Sequence, residues 1–312
     1  MTQQDSSRGE GGLSREEITR GLRKMGLKTD DVVLVHSAMR TFGYIDGGAE
    51  TAVAALLEVL GEGGTLVVPT FTFVHEAEED PIIDPANDPS EMGIITEVVR
   101  LRGDALRSTA FRHSFAAVGR RARVITEVDP ALSPFDLRSS FGVMLALNTQ
   151  VLMLGVTYAN STSHHFAEWV CDVPYRHTID LQVKVRGKDG SVVPQSMIDY
   201  QPRPSGTGRY YGSRHPDFNR LGKMLEQREV VGLAAIGNCA ARRFAMRDLV
   251  DLAQAEVEKN PNIFRTPEGR GDYFTPLEFG KIVFSPEMPD GAGRPNRYQW
   301  CVMDESRLIM PG

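Results

Sequence analysis

The sequence predicts an α/β protein built in three layers, with helices on both faces of a mixed central sheet. Three observations carry that expectation. Residues 32–35, 65–70 and 151–156 are short, almost uninterrupted apolar runs rich in Val and Leu, the pattern of strands buried on both faces. Between the first two runs, residues 49–60 place apolar side chains at helical spacing, so the chain opens as helix, strand, loop, helix, strand, a crossover unit. Residues 181–185 and 191–193 flank Gly187-Lys188-Asp189-Gly190, the turn signature of an antiparallel hairpin appended to the sheet.

Each element has a local reason. Residues 1–12 are polar and Gly-rich and read as a disordered leader. The first helix begins after Leu13: Ser14 can cap it, and Glu16 and Glu17 favour its positive end. A loop over residues 36–48 follows the first strand, and residues 61–64 stop the second helix. Residues 71–90 form an acidic, Pro-containing stretch too long for a simple connection, which makes it a candidate substrate wall. Residues 92–101 read as a short amphipathic helix and residues 246–259 as a strongly amphipathic one. Residues 260–312 are rich in Pro and Gly with little periodicity, and there is no internal repeat.

Composition narrows the function classes. With 312 residues, 41% hydrophobic and 24% charged, the chain has the make-up of a globular protein that buries a large core. A net charge of -6 and a pI near 5.7 argue against nucleic acid as a partner, because binding a polyphosphate needs a concentrated basic face. Cys171, Cys239 and Cys301 are far apart and form no C-x-x-C pair, so a zinc ribbon has no support and a reducing compartment is expected. No secretory h-region and no apolar run near the ~20 residues of a membrane span occur, so the expected location is cytoplasmic.

The chemistry concentrates just beyond the third strand, in Thr162-Ser163-His164-His165-Phe166-Ala167-Glu168. Asn160, Ser161 and Thr162 are all good helix caps, and a spacing of three puts Thr162, His165 and Glu168 on one helical face. A carboxylate beside a histidine fixes its tautomer and stabilises the imidazolium, so the other ring nitrogen becomes a better general base. Open α/β sheets place their sites at this carboxyl edge. The same spacing also fits a solvated ion pair on a surface helix, and the residues alone leave both readings open.

Ordered segments elsewhere add information. They are Val35-His36-Ser37-Ala38-Met39-Arg40-Thr41-Phe42-Gly43, Gly47-Gly48-Ala49, the stretch 64–72, Met92-Gly93-Ile94-Ile95-Thr96-Glu97, Arg107-Ser108 with His113-Ser114, and the T-x-x-H-x-A-E pattern on Thr162, His165, Ala167 and Glu168. With Val173-Pro174-Tyr175-Arg176 and Ile236-Gly237-Asn238 they make the chain resemble the aminoglycoside 3-N-acetyltransferases, or antibiotic N-acetyltransferases, from about residue 13 to about 264.

The resemblance implies that family's fold over residues 13–265, with 266–312 as an extension packing on it. It also implies acetyl-CoA (coenzyme A) as co-substrate without a metal, and a small-molecule amine as acceptor; a homodimer is one assembly it allows. His165 would take the proton of the attacking amine, Glu168 would orient it, and Thr162 would hydrogen-bond the developing oxyanion or the leaving thiolate. A base is needed because an amine of pKa ~8–9 is mostly protonated at pH 7.

The coenzyme would lie along His36, Ser37, Ala38, Met39, Arg40, Thr41 and Gly43, with Arg107, Ser108 and Ser114 near its phosphates and the helix from Gly48 lending its N-terminal dipole. Thr72, Glu76, Glu79 and Asp80 would line the acceptor side, where carboxylates suit a polycation. The chain departs from the family in three places. Ala38 replaces the second serine of an H-S-S segment, Ala110-Phe111 stand where R-S-x-H-P-x-x-S has His-Pro, and the tail runs past the usual end. Three other chemistries fit the same residues: a CoA-thioester hydrolase using His165 and Glu168 on water, a non-catalytic CoA-binding protein, and metal chemistry at His75, His113, His164 or His165.

Overall fold

The computed structural model describes residues 11–202, 216–265, 282–284 and 301–303. The expected leader, apart from Gly11 and Gly12, therefore lies outside the described residues. So does the extension 266–312, except for β11 (Ile282–Phe284) and β12 (Cys301–Met303), which pair antiparallel.

The chain runs α1 (Arg15–Lys24), β1 (Val32–Ser37), α2 (Gly48–Leu60), β2 (Thr65–Pro69), β3 (Ile82–Ile83), α3 (Ile94–Arg100), β4 (Leu106–Arg107), β5 (Phe115–Gly119), α4 (Ala122–Thr126), α5 (Ser140–Ala146) and β6 (Gln150–Leu154). It continues with α6 (Ser163–Val170), β7 (Arg176–Arg186), β8 (Val192–Pro202), α7 (Phe218–Gln227), β9 (Gly232–Ile236), β10 (Cys239–Ala245) and α8 (Met246–Val257). The capping box foreseen at Ser14 forms: its hydroxyl accepts from Glu17 N–H, and the Glu17 carboxylate accepts from Ser14 N–H.

Seven strands form the main sheet in the order β4-β5-β2-β1-β6-β10-β9. β1 is parallel to both β2 and β6, and the outer pairings are antiparallel, so the sheet is mixed as expected. Strand alternation divides the core in two. Leu34, Val67, Val151 and Met153 face α4 to α8, whereas Val33, Val35, Leu66, Val68, Leu152 and Leu154 face α1, α2 and α3. That is the three-layer arrangement.

The hairpin differs from its expected form. β7 and β8 are eleven residues each, and with β3 they make a separate three-stranded sheet. Its apolar side is only Ile83, Val183 and Met197 with partly buried neighbours, so the sequence carries little hydrophobic signal there. β10 is concealed in the sequence for another reason. Arg242 and Arg243 interrupt its apolar run, yet Arg242 is buried and its Nε donates to Glu226 Oε1 at 2.8 Å, while Arg243 Nε donates to Met25 O at 2.9 Å.

Helix α7 packs so closely on Tyr158 that a Cβ on Gly222 would lie 2.0 Å from the buried ring. Gly222→Ala is therefore expected to destabilise the fold by about 1–3 kcal/mol, as overpacking does, read from the urea midpoint.

Candidate active site

The short turn Tyr158–Asn160 leads from β6 into α6, where Thr162 takes the N-cap position without a side-chain capping bond. His165 and Glu168 then project from one side of the helix, and His165 Nδ1 lies 2.6 Å from Glu168 Oε2. The two differ in exposure. The His165 side chain keeps 26% of its surface and that of Glu168 keeps 2%.

A buried carboxylate needs partners. Arg176, the first residue of β7, sets Nε 2.7 Å from Glu168 Oε2, and Tyr175 Oη donates to Glu168 Oε1 at 3.1 Å. The Arg176 guanidinium also covers the Tyr200 ring at 5.1 Å. Burial tends to raise the Glu168 pKa, but the charge of Arg176, then that of His165, holds it below the usual value, so the group is ionised at neutral pH.

Arg176 Nη2 is 2.7 Å from His165 Nδ1 as well. One nitrogen cannot donate to the carboxylate and accept from the guanidinium together, and an ionised Glu168 favours the Nδ1–H tautomer. Nε2 is then the free base, and no described residue hydrogen-bonds to it. Burial first, then the Arg176 charge, lowers the His165 pKa, so the imidazole is neutral at pH 7. Phe218 stands edge-on to it at 4.7 Å and Phe135 at 6.3 Å.

The segment expected to hold the coenzyme leaves the sheet level with the end of β6, the strand that leads to α6, because β1 and β6 are parallel neighbours. Ala38 N–H donates to Leu154 O at 2.9 Å, and a Cβ on Gly155 would collide with the Thr41 hydroxyl, which itself donates to Ala38 O at 2.7 Å. Met39–Phe42 form a 3-10 turn on which Asn238 and Gly237 pack; Arg40 and Gly43 are exposed and Ser37 is half-buried. His36 is buried with Nε2 lacking a partner among the described residues, and so are Asn160 Oδ1, Ser161 Oγ, Ser163 Oγ and both nitrogens of His164. Burial pushes His36 down to about 4 and His164 to about 3.

Other expected residues gather elsewhere. Arg107 has all five N–H groups directed at protein acceptors: Nε at the Thr70 and Ser114 hydroxyls, Nη1 at Pro85 O and Asp88 O, Nη2 at Thr70 O and Thr72 Oγ1. It clamps the acidic loop to the sheet and, so arranged, has no donor left for a phosphate. Ser108 Oγ accepts from Phe115 N–H, Ser114 Oγ donates to Thr70 O, and Thr72 Oγ1 donates to Pro89 O. Glu76 lies 3.2 Å from Arg112, Asp80 pairs with Lys184, and Glu79 is exposed. His75 bridges Glu78 and Asp88 at 2.9 Å each.

Sequence reasoning gives Arg176 and Tyr175 no role. Their only signal is the Val173-Pro174-Tyr175-Arg176 segment. His113 likewise has no sequence-based place at this pair. It meets Phe71 at 4.8 Å and Phe135 at 5.0 Å, which joins it to the His165 neighbourhood. Among the described residues no cluster of three or more His, Cys, Asp or Glu could hold a metal, and no helix is long and apolar enough to cross a membrane.

A histidine backed by a buried, ionised carboxylate at the carboxyl edge of a mixed sheet is an arrangement able to carry acid–base chemistry in an α/β protein. The family model described as aminoglycoside 3-N-acetyltransferase matches residues 34–258, and the chain belongs to that family of acyltransferases. It is 29% identical to aminoglycoside N(3)-acetyltransferase VII of Streptomyces paromomycinus over 284 residues, covering 84% of this chain and 97% of the relative. The crystal structure of apo aminoglycoside acetyltransferase AAC(3)-IVa superposes with a TM-score of 0.67 at 26% identity, covering 85% of this chain and 96% of that one. A mutant of that enzyme in complex with apramycin superposes at 0.65 and 25% identity, over 81% of this chain and 95% of the other.

The depressed histidines make a stability prediction. His36 and His164 take up protons in the unfolded chain near pH 6.5 but in the folded one only near 4 and 3. The unfolded state therefore binds more protons below pH 6.5, and stability falls as pH drops through that window. Denaturant midpoints taken from pH 7.5 to 4 should decline, and His164→Leu should flatten the decline.

Proposed function

We propose that the enzyme transfers an acetyl group from acetyl-CoA to a primary amine of an aminoglycoside or similar amine compound, by direct attack with His165 as general base. The supporting observation is the asymmetry of the pair: Glu168 is buried and held ionised, while His165 keeps an exposed edge and an uncommitted Nε2. Family membership and a structural relative seen with apramycin support this substrate class.

The residues present fit the coenzyme. Buried polar atoms without partners are rare, and His36 Nε2, Asn160 Oδ1 and Ser161 Oγ are such atoms at the ends of β1 and β6. The amides of a pantetheine arm would satisfy atoms of this kind. His36, Ser37, Ala38, Met39, Arg40, Thr41 and Gly43 would hold that arm, with the start of α2 favouring its phosphates. Ser108, Ser114 and Arg107 already bond to protein, and Arg107 would support the acidic loop on the acceptor side from behind rather than hold phosphates. When bound, the coenzyme supplies the acetyl group as a thioester.

The chain's own groups supply the rest. His165 Nε2 accepts the proton released as the amine nitrogen bonds to the acyl carbon, and returns it to the sulfur as the carbon–sulfur bond breaks. Glu168 fixes the ring and stabilises the imidazolium. Thr162, one turn earlier and free of a capping bond, can donate to the oxygen that gains charge. Thr72, Glu76, Glu79 and Asp80 would stand on the acceptor side.

Acetyl-CoA turnover should be followed by thiol release with and without an amine panel of aminoglycosides, amino sugars and simple amines. Thiol release is expected to require an amine; steady release without one would assign a hydrolase instead. His165→Ala and Glu168→Gln should each lower acetyl transfer roughly 10²–10⁴-fold with CoA binding retained by calorimetry. Full activity in either variant would defeat the assignment. Because the His165 pKa is lowered, the acid limb of kcat/KM should have its midpoint below the ordinary histidine value of about 6.5.

A further inference from the structure

The family departure at Ala110-Phe111 and the charge balance of the acidic loop are one feature. Phe111 packs against the small apolar cluster of the second sheet, Ile83, Val183 and Met197. The guanidinium of Arg112 lies over its ring at 5.6 Å. Held there, Arg112 reaches in two directions. Its Nε is 3.2 Å from Glu76 Oε1 on the acidic loop, and its Nη2 is 3.3 Å from Asp199 Oδ2 on β8.

This place adjoins the catalytic pair. His113, the next residue, meets Phe135 at 5.0 Å, and Phe135 meets both His165 at 6.3 Å and Tyr200 at 5.6 Å. Tyr200 follows Asp199 and lies under Arg176. The His113 pKa is depressed first by burial and then by the charges of Arg112 and Arg176.

A polycationic acceptor is recognised by carboxylates that exchange solvent for ligand ammonium groups. Here a guanidinium of the chain itself lies between two carboxylates, Glu76 of the acidic loop and Asp199 of β8. The exposure of the partners shows which pair counts. Asp80 and Lys184 are exposed at 69% and 41%, so their pair is weak and easily displaced. Asp199 is 3% exposed and Arg112 21%, so this contact is sheltered from water and costly to break. A further ammonium brought beside Arg112 would meet a like charge.

We propose that Arg112 is a specificity-determining residue that makes the acceptor wall charge-compensated, so that the preferred acceptor is an amine of low total charge, such as a monoamino sugar, over an aminoglycoside with four or five ammonium groups. The proposal rests on the acetyl-transfer reading above and narrows its substrate class.

The test is steady-state kinetics with acetyl-CoA and two acceptor sets, glucosamine-type monoamines and neomycin- or kanamycin-type polycations, at two salt concentrations. The native enzyme should show the higher kcat/KM with the monoamines and only a shallow salt dependence with the polycations. Arg112→Gln should shift the polycation-to-monoamine ratio of kcat/KM on the order of tenfold toward the polycations, as expected for removal of one close like charge. Arg112→Lys, which keeps the charge, should leave the ratio near the native value; a purely structural role would lower both activities together and leave the ratio unmoved in Arg112→Gln. Should that glutamine variant fail to fold, the native ratio and its salt slope still decide. A native preference for polycations that falls steeply with salt would overturn the proposal while leaving acetyl transfer standing. Absence of acetylation with every amine would instead overturn the acetyl-transfer reading and this one with it.

Discussion

The burial of one carboxylate organises this molecule. Glu168 is almost fully removed from water, and an ionised carboxylate in that position is tolerated only with a counterion and hydrogen-bond donors in place. Arg176 and Tyr175 provide them from the start of β7, so the second sheet is tied to α6 at its first residues. The register Arg176 to Pro202 then brings the end of β8, with Tyr200 and Asp199, to the same place. Whatever chemistry His165 performs therefore depends on how two separate sheets meet around one acid.

Topology supplies the other half. Parallel pairing of β1 with β6 ends both strands at one edge, which sets the 36–43 segment beside the first turn of α6. Close approach there requires Gly155, whose positive φ of 70° and missing Cβ leave room for Thr41. The clamp by Arg107 works from the opposite flank: it joins β4 to the carbonyls of the acidic loop, and its burial lowers its own pKa to about 10. A guanidinium bonded to neutral carbonyls, with Asp88 and Glu97 only nearby, is a positioning device for the wall facing the site.

Legibility in the sequence follows the local physics of each part. The buried parallel strands are visible because residues 32–35, 65–70 and 151–156 have no solvated face to alternate toward. His165 and Glu168 are visible because a helix puts i and i+3 together without help from the rest of the fold. Arg176 is not, since its contact crosses a helix end and a turn that no periodicity encodes. β10 is hidden by Arg242 and Arg243, whose partners Glu226 and Met25 are distant in sequence or belong to another layer. The acidic loop is legible as acidic, but its charge is not legible as compensated: His75 lies within the loop, while Lys184 and Arg186 come to it from β7 and Arg112 from the stretch before β5.

Family membership constrains the two halves of the site differently. The His165–Glu168 pair, the proposed general base, depends on spacing and strand order for its carboxyl-edge location, and changing either would strand a buried charge. The proposed acceptor wall is constrained in this way only at its inner end, where Asp199 is buried against Arg112. Glu76 is 44% exposed, and its charge can be left to water, matched by a ligand or matched by the chain, at little difference in stability. On the proposed reading, residues such as Phe111 and Arg112 can change the electrostatics of the acceptor side while the buried Glu168–Arg176 pair holds His165 unchanged. On the proposed reading, catalysis and acceptor choice are separable because the base depends on the Glu168–Arg176 pair, whereas acceptor choice depends on Arg112, held between buried Asp199 and half-exposed Glu76.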